Sequence, residues 1–179
     1  MRSAGYYLEQ AQFAVAYVKS KMVDGADNHI WDIFTSGLDS RSCVPEMRDS
    51  YRTGFYNSQP AAERINVAAM WAEASGCGNC GEQSAIAYQW LLRNNVLPVE
   101  FMQFAKPKDH NFVALGRVAG SNVAQPATWG PAGVICDPWK GKVYLAVMLN
   151  QVWPGCTPEL VVGVPLPPPP RSAATAPPR

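Results

Sequence analysis

The chain has 179 residues, of which 47% are hydrophobic and 16% are charged, and its formal net charge is +1. This length and composition are typical of one globular domain with a sizeable core, and the weak net charge gives no indication of a nucleic-acid partner. No apolar run is long enough to cross a membrane, and the N-terminus lacks the basic and apolar regions of a general export signal. We therefore expect a cytoplasmic protein, or one that a specialised system secretes into a target cell.

The N-terminal part of the chain, about residues 1–95, predicts helices. Apolar residues recur at spacings of three and four between Tyr7 and Met22, which is typical of one face of a helix. Between this helix and Pro60 the pattern is irregular and predicts only short helical turns. Pro60 itself is typical of the first position of a helix, which we expect to reach about Ala74.

Glycines interrupt the helical pattern after that helix. The next helix is predicted to begin near Cys80 and to end near the Asn94-Asn95 pair, since asparagine suits a C-terminal turn. The helix that starts with Cys80 is the last one before the character of the sequence changes.

The following part, about residues 96–164, predicts strands. Short β-branched or aromatic runs, separated by Pro, Gly, Lys and Asp, lie at 99–105, 110–118, 133–136 and 142–148. Helices followed by strands indicate an α+β fold, with N-terminal helices packed on an antiparallel sheet. We expect a single domain at 1–164, followed by a proline-rich disordered tail at 165–179.

The cysteines are five in number, and one of them has a special position. An odd number in a chain of this size indicates mostly reduced thiols, and we expect Cys43, Cys136 and Cys156 to be buried packing residues. Cys80 differs because it begins a predicted helix, where the first-turn N–H groups stabilise a thiolate. Cys77 is interpreted as a small neighbour of Cys80, or as its partner under oxidation.

A nucleophilic cysteine needs a base and a group that orients the base. His110 begins one predicted strand and Asp137 ends another, so both are expected at the rim of the sheet, beside the start of the Cys80 helix. Trp139 is expected to cover the imidazole and keep water away. The other histidine, His29, is interpreted as a loop or cap residue. The sequence therefore predicts a catalytic triad of Cys80, His110 and Asp137.

The Cys-Gly-Asn-Cys motif at 77–80, followed by a helix, resembles the cysteine segment of papain-like proteases, in which the second cysteine is the nucleophile. The order of cysteine helix, histidine strand and aspartate strand is similar to the transglutaminase-like core. Transglutaminases, arylamine N-acetyltransferases and several bacterial cysteine effectors share that core. The resemblance covers about 77–144 and implies that Cys80 is the nucleophile, His110 the general base and acid, and Asp137 the orienting carboxylate.

The resemblance is incomplete at the oxyanion hole. Papain-like proteases have a glutamine six residues before the nucleophile, and this chain has Ala74 there. The backbone N–H of Cys80 is then the expected first oxyanion donor, and the side chain of Asn79 or Gln83 is the expected second donor.

The implied activity is hydrolysis of an amide in a protein substrate, without a metal or an organic cofactor. Peptidase and protein-glutamine deamidase activities fit almost equally well, and a lysine acceptor would give a transglutaminase or acyltransferase outcome. The small size, the missing export signal and the proline-rich tail resemble a bacterial effector or toxin domain. An immunity or chaperone protein as a further partner is left open.

Two other interpretations of the cysteine pair remain open. Cys77, Cys80, Cys136 and His110 are a plausible set of zinc ligands for a metal-stapled binding module. A Cys-Gly-x-Cys motif at a helix start is also that of thioredoxin-like redox proteins, although there a strand leads into the cysteines.

Overall fold

The computed structural model of the chain describes residues 2–28 and 39–166. The helices are α1 at Ala4–Lys21, α2 at Asp39–Tyr51, α3 at Gly54–Ser58, α4 at Ala61–Ser75, α5 at Cys80–Arg93 and α6 at Leu149–Val152. The strands are β1 at Val99–Phe104, β2 at Asn111–Leu115, β3 at Val134–Asp137, β4 at Lys142–Leu145 and β5 at Pro158–Val164. Short 3-10 turns lie at Pro126–Thr128 and Ala146–Met148. In the described part of the chain no helix is both long and apolar enough to cross a membrane.

The strands form one five-stranded sheet in the order β4-β3-β2-β1-β5, and every neighbouring pair is antiparallel. The predicted α+β class is therefore confirmed. Strand β5 was not predicted, and it extends the sheet by pairing with β1. Most of the predicted tail, from residue 167 onward, lies outside the described residues.

Helix α2 lies where the sequence predicted only short turns. Its apolar face consists of Val44, Met47 and Tyr51, spaced by three and four residues and all buried. Pro45 lies inside the helix, and together with the neighbouring charged residues it hides this pattern, since proline is usually excluded from helix interiors. Tertiary packing of the buried face therefore overrides the weak local signal.

The two faces of the sheet are covered differently. Helices α1, α4 and α5 cover one face, where side chains of β2 and β3 such as Val113 and Cys136 enter a single large core with them. A second core on the opposite face contains Phe112 and Ile135 together with Trp153, from the loops around α6. Because β2 and β3 are antiparallel, the start of β2 and the end of β3 lie at the same end of the sheet.

The first half of α5 reaches that end of the sheet. Ser84 Oγ donates a hydrogen bond to the main-chain oxygen of Asn111, the first residue of β2, over 2.9 Å. This contact fixes the start of α5 beside the residue that precedes β2, which is His110. Helix α5 and strand β2 therefore meet at the rim of the sheet, as expected from the sequence.

Candidate active site

Cys80 is the first residue of α5, and its thiol is free and partly exposed. The N–H groups of the first helical turn have no acceptor within the helix, so they carry partial positive charge toward this end. Gly78, two residues earlier, has no room for a side chain, because a Cβ there would lie 2.6 Å from Glu82 Cβ. The close approach of Glu82 therefore explains why position 78 is a glycine.

Glu82, in the first turn of α5, is 1% exposed and holds this turn in place. Arg48 Nε donates to Glu82 Oε1 over 2.8 Å and Arg48 Nη2 donates to Oε2 over 2.7 Å, while Tyr51 and Arg52 donate to Oε1 over 3.0 Å each. The N–H of Asn79 donates to Oε2 over 3.1 Å. Burial raises the pKa of Glu82, but the hydrogen bond from Arg48 and the charges of Arg48 and Arg52 outweigh it and keep the pKa below its ordinary value. This ion cluster anchors α2 to the start of α5.

A disulfide between Cys43 and Cys77 makes a second link between α2 and the segment that leads into α5, with a Cα–Cα distance of 6.2 Å. The expectation that Cys43 is a reduced packing residue is wrong, and so is the pairing of Cys77 with Cys80. The bonded residues are 34 positions apart, and sequence spacing alone does not identify such a partner. Cys77 is therefore unavailable both for a redox pair with Cys80 and for a zinc site.

His110 is 3% exposed and lies between the thiol of Cys80 and the carboxylate of Asp137. Its Nε2 is 3.0 Å from Asp137 Oδ2, and Asp137 is fully buried. A carboxylate only accepts hydrogen bonds, so Nε2 carries a proton and Nδ1 is left for the hydrogen bond with Cys80. The structure thus brings the three predicted triad residues together.

The environment of His110 favours its charged form. Burial lowers the pKa of the imidazole, but the hydrogen bonds with Asp137 and Cys80 and the charges of these two groups raise it to about 9. An imidazolium at neutral pH places a positive charge beside the Cys80 sulfur.

Three aromatic rings surround the imidazole. The ring centroids of Phe104, Trp139 and Trp153 lie 5.8, 5.5 and 4.5 Å from that of His110. Trp139 meets the imidazole edge-on, in the place where a cover was expected, and its Nε1 donates to Asn28 Oδ1 over 2.9 Å. These rings bury most of the imidazole, which strengthens its hydrogen bond to the carboxylate.

Trp153 is a site residue that the sequence did not indicate. Its Nε1 donates to Asp137 Oδ2 over 3.1 Å, and the N–H of Lys140 donates to Asp137 Oδ1 over 3.1 Å. Asp137 therefore accepts hydrogen bonds on both oxygens, which fixes its orientation toward His110. Trp153 follows the short helix α6 and has no motif around it, so only the fold reveals its role.

The two predicted side-chain oxyanion donors are held differently. The amide of Asn79 is bound at both ends to Asp27, with Nδ2 donating to Oδ1 over 2.7 Å and Oδ1 accepting from the Asp27 N–H over 3.2 Å. Gln83 lies one helical turn after Cys80, and its Nε2 donates to the Gly78 main-chain oxygen over 2.8 Å. An amide nitrogen has two hydrogens, so each side chain keeps one donor.

The four residues of the alternative zinc site do not come together. Cys136 is fully buried on the helix-covered face of the sheet, where its Sγ lies 3.6 Å from the Ala11 main-chain oxygen. Burial, with a smaller effect of Asp137, raises the pKa of the Cys136 thiol far above its ordinary value. Within residues 2–28 and 39–166, no three His, Cys, Asp or Glu side chains are grouped to hold a metal ion. His29 lies outside the described residues.

Comparisons of this chain with known protein families, with curated proteins and with solved structures find no match. A functional interpretation therefore depends on the geometry of the site itself.

Proposed function

We propose that the protein is a cysteine-dependent amide hydrolase that acts on a protein substrate, as a peptidase or a protein-glutamine deamidase. The observation that carries this proposal is the position of His110, buried between the Cys80 thiol and the Asp137 carboxylate. A nucleophile at a helix start, a base within hydrogen-bond reach and a third group that orients the base are the parts that acyl transfer requires.

In the proposed reaction the Cys80 thiolate attacks the carbonyl carbon of the amide, and the carbonyl oxygen becomes an oxyanion. The N–H of Cys80 stabilises this oxyanion, and Gln83 Nε2 is the better second donor because only one of its ends is bound within the protein. The His110 imidazolium donates its proton to the leaving nitrogen, which departs as an amine or as ammonia. Water that has lost a proton to His110 then hydrolyses the thioester and restores the Cys80 thiolate.

A papain-like or transglutaminase-like core is part of this proposal. In support, a helix begins with the cysteine and packs on an antiparallel sheet whose next two strands flank the histidine, and the aspartate ends the strand after them. The Cys43–Cys77 disulfide favours secretion over the cytoplasm as the working location, because disulfides persist in oxidising compartments.

The test of the proposal is the alkylation rate of each free thiol. Purified protein is pulsed with iodoacetamide at neutral pH, digested and analysed by mass spectrometry, so that Cys136 and Cys156 are internal controls for Cys80. We expect preferential alkylation of Cys80, and a loss of this preference in His110→Gln and Asp137→Asn proteins. Equal rates for Cys80 and Cys156 would contradict an activated nucleophile.

A variant without the nucleophile, Cys80→Ala, identifies the reaction. Lysates of candidate target cells are treated with wild-type or Cys80→Ala protein and compared by intact-protein mass spectrometry. New fragments that require Cys80 indicate a peptidase, whereas the small mass gain of glutamine becoming glutamate indicates a deamidase. Linked products would indicate a lysine acceptor and hence a transglutaminase.

A further inference from the structure

The lysines of this chain are concentrated around the proposed active site. Lys106 and Lys108 lie in the β1–β2 connection before His110. Lys140 lies in the β3–β4 connection after Asp137, and Lys142 is the first residue of β4. Lys19 reaches the same turn from α1, since a Cβ at Gly141 would lie 2.8 Å from its Nζ. We call these residues the lysine rim: Lys19, Lys106, Lys108, Lys140 and Lys142. The chain has six lysines, and the one outside the rim is Lys21.

The rim is in contact with the aromatic enclosure of His110. The Nζ atoms of Lys108 and Lys140 lie 5.0 and 4.2 Å from the centroid of the Trp153 ring. That ring is the one whose centroid lies 4.5 Å from the imidazole of His110. The Trp153 ring thus contacts both these two ammonium groups and the His110 imidazole, which is proposed to transfer the proton.

The rim also lines two depressions beside the site. A cavity of about 260 Å³ is bounded by Lys19, Lys140, Gln83 and Trp139, next to the start of α5. A second, open depression is bounded by Lys106, Lys108 and His110 itself. A substrate segment that runs past Cys80 and His110 would therefore lie close to the ammonium groups of these depressions.

The positive charge of the rim is largely uncompensated. Ion pairs among residues 2–28 and 39–166 involve arginines or His110, and none includes a lysine. Asp109 and Glu159 line the second depression, and Glu159 also accepts a hydrogen bond from Gln103 over 3.1 Å. The two depressions are thus lined by four lysines and two exposed carboxylates, although the net charge of the whole chain is only +1.

We propose that the lysine rim binds an acidic segment of the protein substrate, so that Asp or Glu residues flank the amide that is hydrolysed. This inference rests on the proposed function, because it assigns the substrate of the same site. Carboxylates are favoured over phosphates because neither depression has an arginine in its lining, and arginine is the residue that binds phosphate with paired hydrogen bonds.

The inference is tested by binding of short fluorescent peptides to the full chain carrying Cys80→Ser, measured by fluorescence anisotropy. One peptide has a central glutamine flanked by glutamates, and the matched peptide has serines in place of the glutamates. We expect preferential binding of the acidic peptide, weakened when salt shortens the range of electrostatic attraction. Lys108→Gln and Lys140→Gln should each weaken it by about twofold to fivefold, the range of exposed ion pairs.

Lys21→Gln is the matched control. It removes the same charge, but the Lys21 Nζ lies 5.3 Å from the ring of Tyr17, whose hydroxyl is bonded to Glu73 of α4, away from the rim. Equal binding of the two peptides, or equal losses in the Lys21 and Lys108 variants, would overturn the inference. So would tighter binding of a single-stranded oligonucleotide or of phosphatidylserine vesicles through the same lysines.

Peptide binding tests this inference, and the reactivity of Cys80 with iodoacetamide tests the proposed function, so the two can fail separately. The peptide titration needs no reactive thiol, so acidic binding with an unreactive Cys80 would refute the hydrolase and keep the acidic ligand. A reactive Cys80 without a preference for the acidic peptide would refute the acidic ligand and keep the hydrolase. In wild-type protein, the acidic peptide should protect Cys80 from iodoacetamide and the serine peptide should not. An unprotected Cys80 at saturating acidic peptide would place the ligand away from the thiol and overturn the inference.

Discussion

Trp153 Nε1 donates a hydrogen bond to Asp137 Oδ2, the same oxygen that accepts a hydrogen bond from His110 Nε2. One buried carboxylate oxygen therefore has two N–H donors, at 3.1 and 3.0 Å. Trp153 is a positioning residue in this arrangement, because it acts on the imidazole through the carboxylate and through ring contact.

Trp153→Phe should keep the aromatic ring and remove the donor. We expect a fall of about 1.5 to 3 kcal/mol in the free energy of unfolding, as for other hydrogen bonds to charged groups, together with a lower kcat. Trp129→Phe is the control, since Trp129 is also buried and its Nε1 donates to the Asn122 main-chain oxygen over 3.0 Å. It should cost stability in urea unfolding but leave the alkylation rate of Cys80 unchanged. A Trp153→Phe protein with wild-type kcat would argue against the positioning role.

The raised pKa of His110 predicts a pH dependence of both activity and stability. Burial opposes the shift, while Asp137 and Cys80 raise the pKa to about 9 from an ordinary value of 6.5. A raised folded-state pKa means that the stabilisation is fully present below about pH 6.5 and is lost as the pH rises through about 9. Activity should fall over the same alkaline range as the proton donor is lost.

Urea unfolding at a series of pH values, compared with Asp137→Asn, measures this effect. In the variant, the free energy of unfolding should differ much less between pH 6 and pH 10, because the carboxylate that holds the His110 proton is missing. If wild-type and variant stabilities change in parallel across this range, another group is responsible.

Gln83→Ala tests the second oxyanion donor. Removal of one such donor costs about a hundredfold to a thousandfold in kcat in other enzymes, and we expect a loss of this order with little change in the alkylation rate of Cys80. Gln89→Ala, later in the same helix and partly exposed, should leave kcat unchanged. If Gln83→Ala retains full kcat while Asn79→Ala does not, Asn79 is the second donor.

Glu82→Gln should strongly destabilise the fold. It leaves the guanidinium groups of Arg48 and Arg52 without their carboxylate, and breaking a buried ion pair in this way costs about 3 to 5 kcal/mol. Glu73→Gln, which breaks the more exposed pair with Arg93, should cost less than about 1 kcal/mol. Thermal unfolding of the two variants measures the contrast, and similar losses in both would contradict the anchoring role of Glu82.

The Cys43–Cys77 disulfide should stabilise the protein by restricting the unfolded chain. For a loop closed over 34 positions, the chain-entropy relation gives about 3 to 4 kcal/mol. A protein with Cys43→Ser and Cys77→Ser should unfold at a correspondingly lower urea concentration, and dithiothreitol should have the same effect on the wild type. Cys156→Ser should leave the urea concentration of unfolding unchanged. A wild type insensitive to reduction would contradict the prediction.

Local patterns were sufficient for the elements that carry the triad. Helix α5 begins at Cys80, as predicted, because glycines end the preceding helix and an acidic residue follows in the first turn. Strands β2 and β3 also lie where β-branched runs between turn residues placed them. Helix α2 was missed because its buried face is spaced around Pro45, so that only packing against α4 reveals it as a helix.

The sequence by itself determined which groups are available: a cysteine at a helix start, one histidine before a strand and one aspartate at a strand end. These assignments depend on spacing within short segments, and such spacing is visible in one dimension. The tertiary structure alone decided which residues meet across the chain, namely Trp153 on Asp137, Arg48 on Glu82 and Cys43 with Cys77. Each of these pairs is separated by 16 to 34 residues, and its partners are selected by the packing of elements on the sheet, which local pattern does not encode.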